Sequence, residues 1–371
     1  MQSELYSLPL MVYGVYGIIA TVFAAMVNYL LLRSVKNIGN NKLHTPNNNG
    51  HDNLVRWASQ TKPTIGGLSL FVVFLLSVSS YYLLPFKDAE LPPRQLFALL
   101  GSVTIGFIVG LIDDSFRIAP LFKFMGQIAC AVLMISMGVY INVFSTFVAN
   151  ALFTTVWVVG IMNAINMLDN MDGIAAIAAL GILFCAMGIL HLTGVFTGFY
   201  AIVFVGVMAA LIGFLFFNWY PSKMYMGDSG SQFLGSLLSF AGILFIWQFK
   251  PAGNTGFYLP QFVLPAVVFA LPIIDTTTVF LYRIARKQSP FVGGRDHTTH
   301  HLAYCGLSDR GVALTFAVIA ALSLVVSVGV VKKWVIDPYY LPVAAILYWI
   351  ALFVTLQAAY RYGKKNRKKT K

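Results

Sequence analysis

Amide and carboxylate side chains recur at every third position in Asn163-Ala-Ile-Asn166-Met-Leu-Asp169-Asn-Met-Asp172-Gly173. At a helix end and the turn after it, that spacing lines oxygens along one side, where they can face a divalent ion or the edge of a nucleobase. Asp113 and Asp114 stand together at the end of an apolar run, and adjacent carboxylates repel unless a cation such as Mg²⁺ lies between them. Lys223-Met-Tyr225-Met-Gly227-Asp228-Ser-Gly230-Ser supplies a hard oxygen in Asp228, a flat ring in Tyr225, and two glycines expected to let a ligand approach the backbone. The plainer alternative makes Asp228 the N-cap of the helix that follows.

Three of the six histidines fall in Gly293-Gly-Arg295-Asp-His297-Thr-Thr-His300-His301. The metalloprotease zinc signature needs Glu after its first His, and Thr298 stands there instead. Arg and His beside carboxylates suit an anionic phosphate better, as hydrogen-bond donors and neutralisers of charge. Lys62, ahead of Gly66-Gly67, and Lys123 could meet the same phosphates or serve as topology anchors. Asp275, inside an apolar run, is expected to face the interior of a bundle and to pair. Cys130, Cys185 and Cys305 are read as free thiols.

The elements that must hold these residues are set by composition. Of 371 residues, 58% are hydrophobic and 10% charged, which excludes an ordinary soluble domain, a disordered chain and a disulfide scaffold. A helix needs about 20 apolar residues to cross roughly 30 Å of hydrocarbon. Runs of that kind fall at 9–32, 65–84, 95–112, 124–142, 147–167, 174–193, 197–217, 231–248, 260–282, 311–331 and 339–358. The expected fold is therefore all-α, a polytopic integral membrane protein of about 11 transmembrane helices. It divides into a single transmembrane catalytic domain over 1–360 and a basic cytoplasmic tail over 361–371. The first nine residues lack the basic segment of a cleavable signal peptide.

The net charge of +12 would suggest nucleic acid in a soluble protein. Here 20 of the 25 Lys and Arg fall in alternate connections, at 33–62, 113–123, 218–228, 283–310 and 361–371. By the positive-inside rule the N-terminus lies outside and the C-terminus in the cytoplasm. Acids take no part in that rule, yet most of the Asp share the basic face. Their presence there points to a polar site at the membrane surface.

Taken in order from Lys62 to His301, these motifs resemble the polyprenyl-phosphate N-acetylhexosamine-1-phosphate transferases, the glycosyltransferase 4 family, and especially the bacterial undecaprenyl-phosphate branch. The likeness rests on Lys62 with Gly66-Gly67, Asp113-Asp114, Lys123 with Gly126-Gln127, the Asn/Asp run, Met226-Gly-Asp-Ser-Gly-Ser231, Leu271-Pro-Ile-Ile-Asp-Thr276 and the His loop. It implies transfer of a sugar 1-phosphate from a UDP-N-acetylhexosamine, most simply UDP-GlcNAc, to undecaprenyl phosphate, with release of UMP. It implies Mg²⁺, with Mn²⁺ as a substitute, held by Asp228 and Asn166. Asp113, Asp114 and Asp169 take catalytic positions in this likeness. Tyr225 and Asp172 meet the uracil, and Lys62, Lys123, Arg295, His297, His300 and His301 surround the phosphates. The family's usual His-x-His-His is altered, with Thr299 in the middle place. The other partners are membrane lipids; homodimerisation stays open, and no nucleic acid is expected. The competing class is an ion-coupled transporter, whose key carboxylates lie near the bilayer midplane, where only Asp275 is deep enough.

Overall fold

The computed structural model describes residues 10–39, 62–83, 92–193, 198–249, 260–289, 294–334 and 340–369. His44, His51 and Gly293 lie outside them. Long apolar runs become helices because only a helix satisfies its own backbone in lipid. In chain order these are α1 (Leu10–Gly39), α2 (Gly66–Leu83), α3 (Pro93–Phe116), α4 (Pro120–Ser136), α5 (Phe147–Leu168), α6 (Ile174–Thr193), α7 (Gly198–Asn218) and α8 (Gly227–Ala241). A π-helical turn, Gly242–Trp247, extends α8. There follow α9 (Pro260–Val268), α10 (Ala270–Ala285), α11 (Thr298–Tyr304), α12 (Asp309–Trp334) and α13 (Tyr340–Lys369).

Proline opens α3 and α4, where its missing N–H leaves no helical bond unmade. Thr146 caps α5 by accepting a bond from the Ala149 N–H. Between α9 and α10 the axis turns by 83° at Phe269. Pro272 has no N–H to bond the Val268 carbonyl four residues back, which places the break at this point.

Helix α8 is the centre of the bundle. Every residue from Ser229 to Ala241 is buried, against α2, α3, α5 and α6. Outside this core α1 lies on α7, and α12 lies on α6. The outer faces of α1 and α13 expose Met11, Ile18, Val22, Leu347 and Val354, as lipid-facing helices should.

Among the described residues, nine helices are long and apolar enough to cross a membrane, and the α9–α10 pair would make a tenth. The expected span at 124–142 differs most from the structure: α4 is a shorter apolar helix that stops at Ser136. Gly138 turns the chain at φ 82°, and the next residues run along α5. Their backbone N–H groups are bonded from within: Ile141 donates to Thr154 Oγ1 at 2.9 Å, and Val143 and Phe144 donate to Asn150 Oδ1 at 3.1 and 2.8 Å. Eleven crossings require both α4 and the bent pair. The basic run after residue 360 continues α13 through Lys369 as helix.

Candidate functional site

The polar motifs collect at one end of the bundle, where α3, α5 and α7 finish and α2, α4, α6 and α8 begin. Lys123, in the first turn of α4, lies among oxygens from three other helices. Its Nζ donates to Asp113 Oδ2 at 3.0 Å and to Asn166 Oδ1 at 3.3 Å, and it lies 3.2 Å from Asp228 Oδ1. Asn166 in turn donates through Nδ2 to Asp228 Oδ1 and, at 2.8 Å, to Ser231 Oγ. Behind them Gln127 exchanges bonds with Asn163, at 3.1 and 2.7 Å, and donates to Gln232 Oε1 at 3.1 Å.

Asp114 points elsewhere. Its two oxygens accept the backbone N–H groups of Asp228 and Ser229 at 2.8 and 2.9 Å, so a carboxylate at the end of α3 caps the first turn of α8. Asp228 is therefore not the N-cap of its own helix; Met226 holds that place and makes no side-chain cap. The glycines of this motif also differ from expectation, because they admit protein and not ligand. Gly227, at φ 79°, has Asp114 where a Cβ would fall, and a Cβ on Gly67 of α2 would meet the Gly230 nitrogen at 2.3 Å. The strands of chain before α2 and α8 pair through Tyr225 N to Pro63 O at 2.9 Å, Gly66 N to Tyr225 O at 3.1 Å and Gly67 N to Met226 O at 2.9 Å.

A second group adjoins the first along the same loop. Asp172 accepts from the Ser222 N–H and Oγ–H, both at 2.9 Å. Lys62 Nζ donates to Ser222 Oγ at 3.1 Å and stands 5.3 Å from the centre of the Tyr225 ring. Ser222, which joins the expected residues Asp172 and Lys62, carried no sequence signal beyond its place between Pro221 and Lys223. Asp169 is half-buried at the end of α5, where its N–H donates to the Asn166 carbonyl at 3.3 Å.

The His loop forms a third group. Asp275 is 1% exposed, and its Oδ2 lies 2.8 Å from His297 Nδ1. This pairing meets the expectation for Asp275 and engages the one deep carboxylate that a transporter would need. Arg283 grips Asp296 with two bonds, at 3.0 and 2.6 Å, an ion pair the sequence reading missed by counting Arg283 only as a topology charge. That guanidinium holds the Asp296 carboxyl below the usual range against the opposing effect of burial. Thr299 Oγ1 donates to Asn170 Oδ1 at 2.7 Å, tying the loop to the turn after α5. His300 is buried, and burial followed by the neighbouring His297 pushes its imidazole down to about 3. At that value the His300 ring is neutral at physiological pH. The His301 ring packs 3.8 Å from Tyr360 on α13, and Arg295 is half-buried in the same loop.

The first group suits a hard divalent cation by its donors. Three side-chain oxygens already converge on one positive charge, and Mg²⁺ is commonly held by one or two carboxylates while substrate phosphates and water complete its shell. Among the described residues no group of three or more His, Cys, Asp or Glu is placed to hold a metal, so the third oxygen here is an amide's.

A profile of glycosyl transferase family 4 matches residues 96–246, from within α3 to the end of the α8 extension. A Bacillus subtilis protein named "probable undecaprenyl-phosphate N-acetylglucosaminyl 1-phosphate transferase" is 28% identical over 257 residues, 67% of each chain. The decaprenyl-phosphate N-acetylglucosaminephosphotransferase of Mycobacterium tuberculosis is 33% identical over 278 residues, 68% of each chain. The undecaprenyl-phosphate alpha-N-acetylglucosaminyl 1-phosphate transferase of Haemophilus influenzae is 31% identical over 293 residues, covering 74% of this chain and 78% of that one.

Proposed function

The chain belongs to glycosyl transferase family 4, and on that premise we propose that it transfers N-acetylglucosamine 1-phosphate from a UDP-sugar to a polyprenyl phosphate. The acceptor is undecaprenyl phosphate, the leaving group UMP, and the product the first lipid-linked intermediate of a cell-envelope glycan. The observation that carries the reading is the convergence of Asp113, Asn166 and Asp228 around Lys123 at the end of an otherwise apolar bundle.

A phosphate attacking a diphosphate crowds negative charge, so catalysis is mostly neutralisation and in-line positioning. An oxygen of the lipid phosphate attacks the sugar-bearing phosphorus, and the bond from that phosphorus to the bridging oxygen breaks, leaving with UMP. Asp113 orients the lipid phosphate or takes its proton. Asp114 fixes the backbone that carries Asp228. Lys123 moves from its carboxylate partners to the phosphates. Tyr225 stacks on uracil, and Asp172, with Lys62 beside it, meets the base. Asp228 and Asn166 would hold Mg²⁺, which when bound supplies neutralisation of the diphosphate. The bundle crosses a bacterial inner membrane eleven times with this end at the cytoplasmic face, where UDP-sugars are found and where the basic connections point.

Purified protein in detergent, with Mg²⁺, undecaprenyl phosphate and a panel of UDP-sugars, should release UMP from UDP-GlcNAc. Absence of release from every UDP-N-acetylhexosamine would overturn the assignment.

A further inference from the structure

Helix α10 carries two charged residues on the side it turns to the His loop. Asp275 and Arg283 are separated by eight positions, close to two helical turns, and both are buried. Arg283 binds Asp296, and Asp275 binds the two residues that follow it in the chain. The loop is thus registered on α10 at three consecutive positions.

The bonds at Asp275 are divided between its oxygens. Oδ1 accepts the Thr298 backbone N–H at 2.7 Å and the Thr298 hydroxyl at 2.5 Å, and Oδ2 faces His297 Nδ1 at 2.8 Å. A carboxylate with two donors on one oxygen offers the other as an acceptor, so Nδ1 of His297 carries the proton that fills this bond. The ring plane is then fixed from behind, and Nε2 carries the lone pair.

We infer that Asp275 is a positioning residue for the transfer reaction, which holds His297 with Nδ1 protonated and so sets which ring nitrogen meets the substrate phosphates. The inference rests on the transferase reading above. Asp275 itself need not touch substrate; it acts through His297, as a buried carboxylate commonly orients a functional imidazole. The bend at Phe269 belongs to the same device, because it sets the direction in which α10 leaves the core and so where Asp275 meets the loop.

Selectively ¹⁵N-labelled histidine in the full chain in detergent reads the pair without turnover, with His297→Gln assigning the signal. The wild type should show a protonated, hydrogen-bonded Nδ1 at His297. In Asp275→Asn, whose amide can donate to Nδ1, the proton should move to Nε2. A bare Nδ1 in the wild type, or an unchanged ring in Asp275→Asn, would overturn the proposal. In UMP release, kcat of Asp275→Asn should fall by about 100-fold with KM for UDP-GlcNAc unchanged. The double variant Asp275→Asn/His297→Gln should be no slower than His297→Gln alone. A further drop of the same size in the double variant would make Asp275 a structural residue only. If the wild type releases no UMP, the transferase reading falls, while the histidine spectrum still decides the pair.

Discussion

Asp114 accepts hydrogen bonds from the backbone N–H groups of Asp228 and Ser229, and so the second carboxylate of the Asp pair holds the first turn of the helix that carries the proposed metal ligand. Asp113 and Asp114 are neighbours in sequence with different work. One faces Lys123, and the other faces backbone.

Asp114→Ala should therefore lower both stability and turnover. Two part-buried N–H groups lose a charged acceptor, a loss of about 1–3 kcal/mol. UMP release should drop roughly 10–100-fold as the Asp228 loop loosens. Thermal unfolding in detergent and steady-state rates measure the two effects, and a variant of unchanged melting temperature would refute the capping role.

Asp228→Asn keeps the shape of the side chain and removes its charge. The fold should be retained and activity should fall at least about 10²–10³-fold, comparable to deleting a main electrostatic contact to the transition state. Full turnover at saturating Mg²⁺ would remove Asp228 from the ligand set.

Tyr225→Ala should raise KM for UDP-GlcNAc, because a stacked base contributes about 1–3 kcal/mol. Tyr225→Phe keeps the ring and should leave KM near that of the wild type. Equal losses in both variants would mean that the hydroxyl, not the ring, is used.

Gly67→Ala puts a methyl group 2.3 Å from the Gly230 nitrogen and 2.7 Å from its Cα, where neither backbone can yield cheaply. A loss of about 1–3 kcal/mol is expected. Gly160→Ala, at an exposed site on α5 with nothing within 4 Å of the new methyl, should be neutral or gain up to about 1 kcal/mol in helix propensity. Melting temperatures of the pair test the closeness of the α2–α8 contact.

His300 gives an acid limb to stability. Its imidazole is pushed from 6.5 to about 3, so below pH 6.5 the unfolded chain takes up a proton that the folded chain refuses. Stability from this group is complete above pH 6.5 and is lost as pH falls towards 3, at up to about 1.4 kcal/mol per pH unit. His300→Asn should flatten the dependence of melting temperature on pH between 5 and 6.5; an unchanged slope would place the acid sensitivity elsewhere.

The residues that meet across helices were legible as types at one membrane face. Asp113, Lys123 and Asp228 announced themselves because charge is rare in this chain, Asn166 by the three-residue spacing of the Asn/Asp run, and Asp275 because an acid inside an apolar run must pair. What pairs with what was not legible. The cap from Asp114, the bridge at Ser222 and the grip of Arg283 on Asp296 join residues whose separation in sequence carries no period, and a serine in a loop or an arginine at a helix end has many other uses. The glycines show the same limit, since sequence marks a close approach and not what approaches. The end of α4 escaped because Asn150 and Thr154, on the next helix, bond the backbone of segment 137–146, letting an apolar run stop being helical.

Enclosure of α8 by other helices has a mechanical consequence. Its serines, glutamine and glycines meet protein on every side, so the depth of Asp228 is set by helix-to-helix register and not by acyl-chain length. In a thicker or thinner bilayer the mismatch is taken up by lipid around the outer helices α1 and α13, while the distances among Asp113, Lys123, Asn166 and Asp228 stay as the core sets them.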